Sequence, residues 1–570
     1  MTRKTVLPIL GFAVAFVATS FAAEINYKNG AYTWEDGSWE GGVKPGPDDT
    51  AVIPELPILK ARYDSGKMQS NGLQDDEEID ILHFKDLYGL NVNGANRKLT
   101  LNGVVCDDMF PTAEDTAQVA TNKIAMNTLA FKGSANEVYV GRAHVLDVNV
   151  PVFDRAEGSV LLKTGEGELI HSGQNWGSAT AQVWVQEGLY LRTGNGYPEF
   201  RGDVVIGGTG KSATMTVLPS ASQTFMLADK VLDIRPGGAL NLPDLGKYYY
   251  HETLKVDHGV LDGGGSTIFC MSNQGSTECG TEYTFDGGTI SNGGIVVVWG
   301  GALTIKPSDR TSAIHGRMVF NTGYDVDVPD GTAPVDFLVT GSFEGANRGV
   351  NKAGDGTMTI RVDDAIQTWG GTAGKPFEVK GGTLSFESSE SEGIGMGTND
   401  VKVAAGATYA AVGRHVGAIV VNRGRIGKVI LNGEAEKTTT FAIGKIDEAT
   451  GALNPGRYTV GTEEEPGEVV FNNDCTLKIG ATAEGVSALV VNGTFTLSGS
   501  DTLSIVGPED VHRIPAGEYA IVTTTEEMNH PFASVLYNGS PIAGSGLKVR
   551  QDANQIVLRV PRRGMVVIVR

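Results

Sequence analysis

Apolar and polar residues alternate through two stretches near the middle of the chain, residues 357–362 and residues 377–386. In each stretch every second residue is apolar, apart from a glycine turn at residues 381–382. Alternation with a period of two predicts β-strands that bury one face. One such strand pair leaves unpaired edges and buries too little apolar area. The unit, residues 351–386, is therefore expected to be stable only when copies stack on one another.

A second copy of this unit lies upstream, in residues 163–191. An aromatic residue followed by glycine occurs in the middle of both copies, at Trp176 and Trp369, and a strand introduced by glycine ends each copy. The openings of the two copies share one order of residue types: Lys163-Thr-Gly-Glu-Gly-Glu-Leu169 and Lys352-Ala-Gly-Asp-Gly-Thr-Met358.

This order of parts resembles the autotransporter-associated β-strand repeat, which has a Lys-x-Gly-x-Gly-x-Leu opening, an aromatic-Gly-Gly-Thr middle and a Gly-Thr-Leu ending. The two copies together cover about 65 of the 570 residues. The resemblance implies an all-β chain that forms a right-handed parallel β-helix, a pectin-lyase-like solenoid of the autotransporter-passenger type. It also implies a bacterial protein that is exported and exposed at the cell surface. It implies neither a ligand nor a reaction.

Glycine turns that lead into short apolar strands recur, at irregular spacing, between residues 129 and 479. With about 22 residues per coil and about 4.8 Å between coils, this stretch would make about sixteen coils and a rod on the order of 75 Å long. A string of β-sandwiches is the competing all-β interpretation. It would require hairpin signals and linkers at domain spacing, and the sequence has too few of them.

The chain divides into four predicted parts. Residues 1–22 have the basic start, apolar core and small-residue cleavage site of a secretory signal peptide, and the apolar core is too short to span a membrane. Residues 23–130 are assigned to an N-terminal cap and first rungs, residues 131–480 to the parallel β-helix, and residues 481–570 to its C-terminal end and cap. We therefore expect a secreted or surface-exposed protein with no transmembrane segment after cleavage.

The last hundred residues resemble the terminal part of an autotransporter passenger, but the alternating strands of a translocator barrel do not follow them. This departure leaves the route across an outer membrane undefined. The tail Gly564–Arg570 is predicted to be either one last strand or a short segment that a sorting machine reads.

Composition and charge exclude some classes of function. Glycine makes up 77 of 570 residues without the period of three that collagen requires, which fits a solenoid rich in turns. The net charge of −21 argues against nucleic-acid binding, because neutralising phosphates requires Lys and Arg concentrated on one face. The charge permits divalent-cation binding, although a solvated acidic surface explains it equally simply.

The four cysteines include one pair close in sequence, Cys270 and Cys279, which flank a turn-rich segment. In an oxidising compartment these two are the predicted disulfide, with free thiols as the alternative for all four. No Cys-x-x-Cys or His-x-x-x-His spacing occurs. No metal site and no cofactor are therefore predicted.

Two groups of aromatic residues are candidate glycan contacts. Trp34 and Trp39 precede a Pro/Gly turn and are predicted either to cover the first rung of the solenoid or to form a sugar-binding platform. Tyr248, Tyr249 and Tyr250 form the densest aromatic run. Because side chains alternate along a strand, at least one of these tyrosines is expected to be in the core.

No set of residues provides a convincing catalytic centre. Asp257-His258 and Asp363-Asp364 lie in predicted turns, and two Arg/His pairs occur without a second motif at an informative spacing: His315 with Arg317, and Arg414 with His415.

We therefore expect a non-catalytic structural or adhesin-like protein that binds surface glycans or host and matrix proteins through its flank. The alternative is a polysaccharide-active β-helix enzyme, either a lyase or a glycoside hydrolase. The sequence does not predict an oligomeric state.

Overall fold

The computed structural model describes the chain from residue 23 to residue 562, apart from short internal stretches. These stretches are residues 66–67, 109–118, 156, 174, 177–181, 194–199, 201, 219–229, 243–247, 250–252, 271–281, 298–301, 321–322, 342, 345–348, 363–376, 389–400, 416–427, 433–438 and 464–465. The described chain is a β-solenoid of stacked parallel sheets, which confirms the predicted fold class.

A typical coil contributes three consecutive strand segments, which we call faces 1, 2 and 3. Face 1 is built from a twelve-stranded and a seven-stranded parallel sheet. The twelve strands are Glu24–Asn26, Thr50–Ile53, Ile81–Phe84, Gly103–Cys106, Ala135–Val140, Val160–Thr164, Gln182–Val185, Val204–Ile206, Val231–Ile234, Thr253–Asp257, Glu282–Asp286 and Ala302–Ile305. The seven are Tyr324–Asp327, Val350–Ala353, Phe377–Val379, Val401–Val403, Lys428–Asn432, Gly467–Asn472 and Gly493–Thr496.

Faces 2 and 3 follow each face 1 strand, and several strands bend from one of these faces into the next. The strands of face 2, some of which continue onto face 3, are Gln69–Gly72, Leu90–Leu101, Ala120–Phe131, His144–Asn149, Glu168–His171, Gly188–Arg192, Ala213–Val217, Gly238–Asn241, Val260–Cys270, Thr289–Val297, Ser312–His315, Phe337–Val339, Thr357–Val362, Thr383–Ser388, Thr408–His415, Thr439–Ile443, Cys475–Thr482, Thr502–Val506 and Ser534–Tyr537. Separate strands of face 3 are Glu77–Glu78, Val152–Arg155, Asn175–Trp176, Tyr248–Tyr249, Met318–Phe320, Phe343–Glu344, Arg457–Val460, Ala488–Val491 and Gly517–Thr524.

Helices and antiparallel strands occur only as additions to the described solenoid. The helices are the α-helix Pro57–Asp64 and the 3₁₀ helices Asp36–Ser38, Glu40–Gly42, Val511–Arg513 and Ile542–Gly544. The added antiparallel strands are Lys445–Ile446 with Leu453–Asn454, Gly485–Val486, Ser540–Pro541, Lys548–Gln551 and Gln555–Val560. No described helix is long and apolar enough to cross a membrane.

The core is a set of ladders in which one inward position repeats from coil to coil. One ladder on face 2 runs from Leu146 to Ile505 in unbroken parallel register. Its members are Leu146, Leu169, Tyr190, Met215, Leu240, Leu261, Ile290, Ile314, Val339, Ile360, Phe386, Ala411, Ile443, Ile479 and Ile505, and all of them are buried. The predicted alternation therefore selects the inward face of each strand, and each coil supplies the apolar floor of the next.

The coils are longer and less uniform than expected from sequence. Val183 is 21 residues from its rung partner Val204, whereas Phe441 is 36 residues from Leu477. The described chain between residues 129 and 479 therefore makes about 14 turns, fewer than the predicted sixteen. The difference arises because segments are inserted between strands, including the antiparallel hairpin Lys445–Asn454.

Each end of the described solenoid carries non-repetitive structure. At the N-terminal end, Trp34 and Trp39 are 1 % and 0 % exposed, and their rings meet edge to face with centroids 4.8 Å apart. Tyr27 packs against Trp39 in the same manner at 5.2 Å. At the C-terminal end, the strand Gly517–Thr524 pairs in antiparallel fashion with Gln555–Val560. Both arrangements replace the neighbouring coil that an end rung lacks.

Candidate functional site

One candidate site is a cluster of histidine and aspartate side chains at a tight corner between faces 1 and 2. The strand Thr253–Asp257 ends there, His258 and Gly259 make the turn, and face 2 resumes at Val260. His258 has φ +51°, a left-handed conformation that turns the chain sharply. In the next coil, Asp286 is the rung partner of Asp257. Carboxylates of two coils therefore lie beside the His258 ring.

His258 is held by a carboxylate on each side of its ring. Its Nδ1 lies 2.7 Å from Asp257 Oδ1, and its Nε2 lies 2.8 Å from Asp309 Oδ1. Ionised carboxylates only accept hydrogen bonds, so this geometry favours a proton on both ring nitrogens, which is the imidazolium form. The hydrogen bonds to Asp309 and to Asp257 accordingly raise the pKa of His258.

This arrangement limits the chemistry of the corner. A doubly protonated ring can neither accept a proton as a general base nor donate a lone pair to a metal. Ligand atoms of Asp257, His258 and Asp286 lie within 4.8 Å of one another, so these residue types could hold a divalent cation once the ring loses its protons. In the observed state the corner is an ion-paired clamp, and it connects the turn to Asp309 of a later segment.

Two other tight corners contain a buried lysine. Lys163 is the penultimate residue of a face 1 strand, is fully buried, and donates from Nζ to the carbonyls of Thr164, Gly165 and Glu187 at 2.9, 2.7 and 2.9 Å. The first two carbonyls belong to its own turn, and the third belongs to the turn of the next coil. Burial lowers the pKa of Lys163 to about 7. The three carbonyls act in the opposite direction because they match the three donors of an ammonium group.

Lys352 occupies the corresponding position in the second copy of the repeat. It is also fully buried, and its Nζ donates to Gly354 O at 2.6 Å and to Gly381 O at 2.9 Å. Gly165 and Gly354 have φ of +77° and +78°, so the two turns have the same left-handed conformation. The openings of the two matching segments are therefore equivalent in structure.

A charged cluster that sequence analysis missed lies on the outer side of face 2. Arg361 Nε lies 2.8 Å from Glu387 Oε2, and Arg361 Nη2 bonds Glu448. Lys445, at the start of the hairpin Lys445–Asn454, approaches Glu387 Oε2 to 3.3 Å. Glu387 is only 5 % exposed. Two cationic side chains therefore contact the buried Glu387 carboxylate.

A signal for this cluster does exist in the sequence. Arg361 and Glu387 occupy the same position in two matching strands, Thr-Met-Thr-Ile-Arg361 and Thr-Leu-Ser-Phe-Glu387. Opposite charges at equivalent positions of stacked strands predict a ladder pair, and the structure has these residues in register. The contribution of Lys445 and Glu448 has no such signal, because they come from an inserted hairpin.

The predicted glycan contacts at Trp34 and Trp39 require correction. Both rings lie in the core beneath the first rungs, so neither has a ring face available to a sugar. Large apolar rings gain more free energy by closing the exposed end of the core than by remaining in solvent. Tyr248 and Tyr249 form a short face 3 strand, and their side chains, like all of Tyr250, lie outside the described residues.

The other predicted residues are dispersed. Cys270 ends a described strand, but Cys279 lies outside the described residues, so the proposed disulfide remains a prediction. Cys106 and Cys475 are both buried, 369 residues apart in sequence, and the Cys475 thiol lies 3.1 Å from Asn473 O. Burial raises the pKa of the Cys106 thiol well above its usual value, so this thiol is an inert core group.

The remaining catalytic candidates do not converge on the His258 corner. His315 is exposed and bonds Thr340 Oγ1 at 2.8 Å. Asp363 and Asp364 lie outside the described residues, as do the side chains of Arg414 and His415. Comparisons with known protein families and with curated proteins find no match to this chain.

Proposed function

We propose that this protein is an exported, non-catalytic rod that binds partners through one flank of its solenoid. The observation that carries the proposal is the contrast between two corners. Between faces 1 and 2, only two residues separate Asp257 from Val260, and three separate Ala353 from Thr357. On the return to face 1 the number of residues varies: one separates Leu101 from Gly103, three separate Phe131 from Ala135, and fourteen separate Val362 from Phe377, where residues 363–376 lie outside the described residues.

A return corner that accepts stretches of different length fits a scaffold that carries binding residues at that corner. A solenoid needs only a few residues to turn, so longer connections add no backbone pairing between coils. Long connections on a rigid frame are the usual location of binding residues. Surface glycans or host and matrix proteins are the proposed partners. The leader in residues 1–22 supports export, and the resemblance to autotransporter passengers supports surface display.

The state of the described acid–base groups supports a non-catalytic role. His258 lies between two carboxylates that favour its protonated form, and Glu387 is paired with Arg361 and Lys445. A polysaccharide lyase needs a base that can accept a proton, and a glycosidase needs two carboxyl groups that flank the scissile bond. In these two described clusters the carboxylates that contact His258 and Arg361 are engaged in ion pairs within the protein.

A binding experiment tests the proposal. The chain from residue 23 onward would be immobilised and probed with purified cell-surface polysaccharides and extracellular-matrix proteins. We expect saturable binding to at least one of them. Replacing residues 363–376 and 389–400 with Gly/Ser segments of equal length should abolish that binding. A matched control replaces the exposed tight-corner residues Arg142, Glu166 and Lys211 with serine and should bind normally.

An activity assay tests the enzymatic alternative. The same polysaccharides would be incubated with the protein and tested for new reducing ends and for unsaturated sugars. No product is expected. Product formation that disappears in Glu387→Gln or in His258→Asn would contradict the proposal and would identify a polysaccharide-active enzyme.

A further inference from the structure

A groove at the C-terminal end of the rod concentrates positive charge in an otherwise acidic chain. It lies on the antiparallel sheet formed by Gly517–Thr524, Gln555–Val560 and Lys548–Gln551. Its lining includes the side chains of Lys548, Arg559 and Arg562, together with Glu518 and the turn glycine Gly546. The whole protein carries a net charge of −21, so three cations around one groove depart from its general character.

The sheet register brings these side chains to one side. Arg559 is the rung partner of both Lys548 and Glu518, so the three side chains form a row across three strands. Directly opposed residues in antiparallel strands have Cβ atoms about 5 Å apart. Arg562 follows two residues after the end of the middle strand and lines the same groove. Lys548, Arg559 and Arg562 therefore line one small groove.

The cations of this groove are poorly neutralised by the protein itself. Arg559 Nε lies 3.9 Å from Glu518 Oε1, which is too long for a hydrogen bond, and both side chains are more than half exposed. Within the described chain, Lys548 and Arg562 have no ion-pair partner. Along the rod flank, by contrast, cations such as Lys211 and Lys380 bond carboxylates at 2.6 and 2.8 Å.

We infer that this groove binds an acidic saccharide, with a carboxylate or phosphate group of the sugar between Lys548, Arg559 and Arg562. Arginine and lysine together give charge-assisted hydrogen bonds to an oxyanion. The Glu518 carboxylate at the same groove accepts hydrogen bonds from hydroxyl groups and repels a bare anion. A ligand that presents both hydroxyls and one oxyanion therefore satisfies the whole lining.

The charge of the protein also selects among anionic partners. A nucleic acid has a high density of phosphates and would require a long basic stripe, whereas the rest of this chain repels it. A short acidic saccharide presents its oxyanions beside hydroxyl groups, and one groove can hold a single oxyanion together with the neighbouring hydroxyls. This inference does not depend on binding at the flank, because the groove lies on the terminal sheet and not on the face 3 to face 1 connections.

The test uses isothermal titration calorimetry of the chain from residue 23 onward with a galacturonic acid trisaccharide, and a neutral galactose trisaccharide as the comparison ligand. We expect the acidic trisaccharide alone to bind, with an affinity that falls as salt is raised. The double variant Lys548→Gln/Arg562→Gln should weaken binding by about tenfold or more, because it removes two charge-assisted contacts.

The matched control is Arg550→Gln. Arg550 lies two residues from Lys548 on the same strand, but its Nε is already bonded to Asp552 Oδ2 at 2.9 Å. Its substitution should change the affinity less than about twofold. All these side chains are exposed, so circular dichroism is expected to be unchanged.

Equal binding of the neutral trisaccharide, or an unaffected double variant, overturns the inference. Binding to phosphatidylglycerol vesicles without binding to the trisaccharide also overturns it, and points to a lipid surface. The double variant should retain flank binding, which separates this result from failure of the proposed function.

Discussion

The two lysine corners, at Lys163 and at Lys352, have the same geometry but different electrostatics. Each lysine is the penultimate residue of a face 1 strand and donates to carbonyls of its own turn and of the next coil's turn. Lys163 is satisfied by three carbonyls, and Glu187 is the only carboxylate that raises its pKa. Lys352 has two such carbonyls and four carboxylates nearby: Asp336, Asp355, Asp327 and Asp330.

This difference separates two ways of keeping an ammonium group in a protein core. Burial is the largest influence at both sites, and it lowers the pKa to about 7 at Lys163 and to about 8 at Lys352. The surrounding carboxylates oppose burial more strongly at Lys352. The repeat motif thus fixes the hydrogen-bonded corner, whereas carboxylates that lie mostly outside the motif, at Asp327, Asp330 and Asp336, oppose the lowering of the lysine pKa by burial.

Removing the lysines should have the largest effect. Lys163→Met and Lys352→Met are each expected to lower the free energy of unfolding by about 3 kcal/mol, because buried carbonyls lose their donors. Lys163→Met should cost more, by about 1 kcal/mol, because it loses one more hydrogen bond. Urea denaturation measures both values. The control is Lys380→Met, which removes a half-exposed ion pair with Asp325 and should cost less than about 1 kcal/mol. An equal loss of unfolding free energy at all three positions would contradict a structural role for the buried lysines.

Adding a methyl group to the corner glycines should have a similar or slightly smaller effect. A Cβ at Gly165 would lie 2.3 Å from Val140 O, and a Cβ at Gly354 would lie 2.4 Å from Val328 O. With the positive φ, we expect Gly165→Ala and Gly354→Ala each to cost about 2 to 3 kcal/mol. Gly158→Ala separates the two causes, since Gly158 has φ +72° but open space around its Cα. It should cost only about 1 kcal/mol, and an equal loss at Gly158 would show that crowding contributes nothing.

The pH dependence of unfolding should distinguish the two corners. In the unfolded chain each lysine has a pKa near 10.5, which is above its value in the folded protein. The unfolded state therefore binds more protons between the two values, and each lysine makes the protein more stable as pH rises through that window. The increase in unfolding free energy should begin near pH 7 for Lys163 and near pH 8 for Lys352. Unfolding free energies of the wild type and of each methionine variant, measured from pH 6 to pH 9.5, give the two differences. If the unfolding free energy began to rise at the same pH for both lysines, the four carboxylates near Lys352 would not have the role assigned to them.

Screening by salt gives a smaller and independent contrast. The cost of Lys352→Met should decrease by about 0.5 kcal/mol when sodium chloride is raised from 0.05 to 0.5 M, because part of it is attraction to carboxylates. The cost of Lys163→Met should change less, because it arises from uncharged carbonyls. Urea denaturation at the two salt concentrations measures this. A larger change at Lys163 would reverse the comparison.

The smallest effect is expected at the corner that has a histidine instead of a lysine. The pKa of His258 is raised in the folded state, so its clamp stabilises the protein fully below the unfolded pKa near 6.5. This stabilisation is lost as pH rises through the folded pKa. His258→Asn should therefore lower the melting temperature at pH 5.5 and have little effect at pH 9. Asp257→Asn serves as a partner control. A pH-independent effect of His258→Asn would rule out the charged clamp.

Sequence analysis was most accurate where the pattern repeats. The alternation at residues 357–362 correctly predicted inward Met358 and Ile360, and the glycine turns correctly predicted a parallel stack. It failed where insertions break the period. The hairpin Lys445–Asn454 and the long coils have no repeating signal, which is why the predicted number of coils was too high.

Sequence analysis also missed roles that depend on distant neighbours. The acidic run at residues 74–78 has the composition of a solvated loop, yet Glu77 is 7 % exposed and bonds Lys44 at 2.8 Å. Arg361 and Glu387 could have been paired by aligning their strands, but Glu448 could not. The C-terminal groove is equally hidden, because Glu518 and Lys548 become neighbours only through the strand that contains Arg559.

By itself the sequence determined that the chain forms β-strands with one apolar face, that glycines end them, and that copies stack in parallel. These features follow from local alternation and backbone conformation, which each repeat carries within its own residues. Only the tertiary structure decided which carbonyls receive the lysine protons, which carboxylates enclose His258, and where unpaired cations gather. Those contacts join residues of different coils, and their distances depend on insertion lengths that the repeat pattern does not encode.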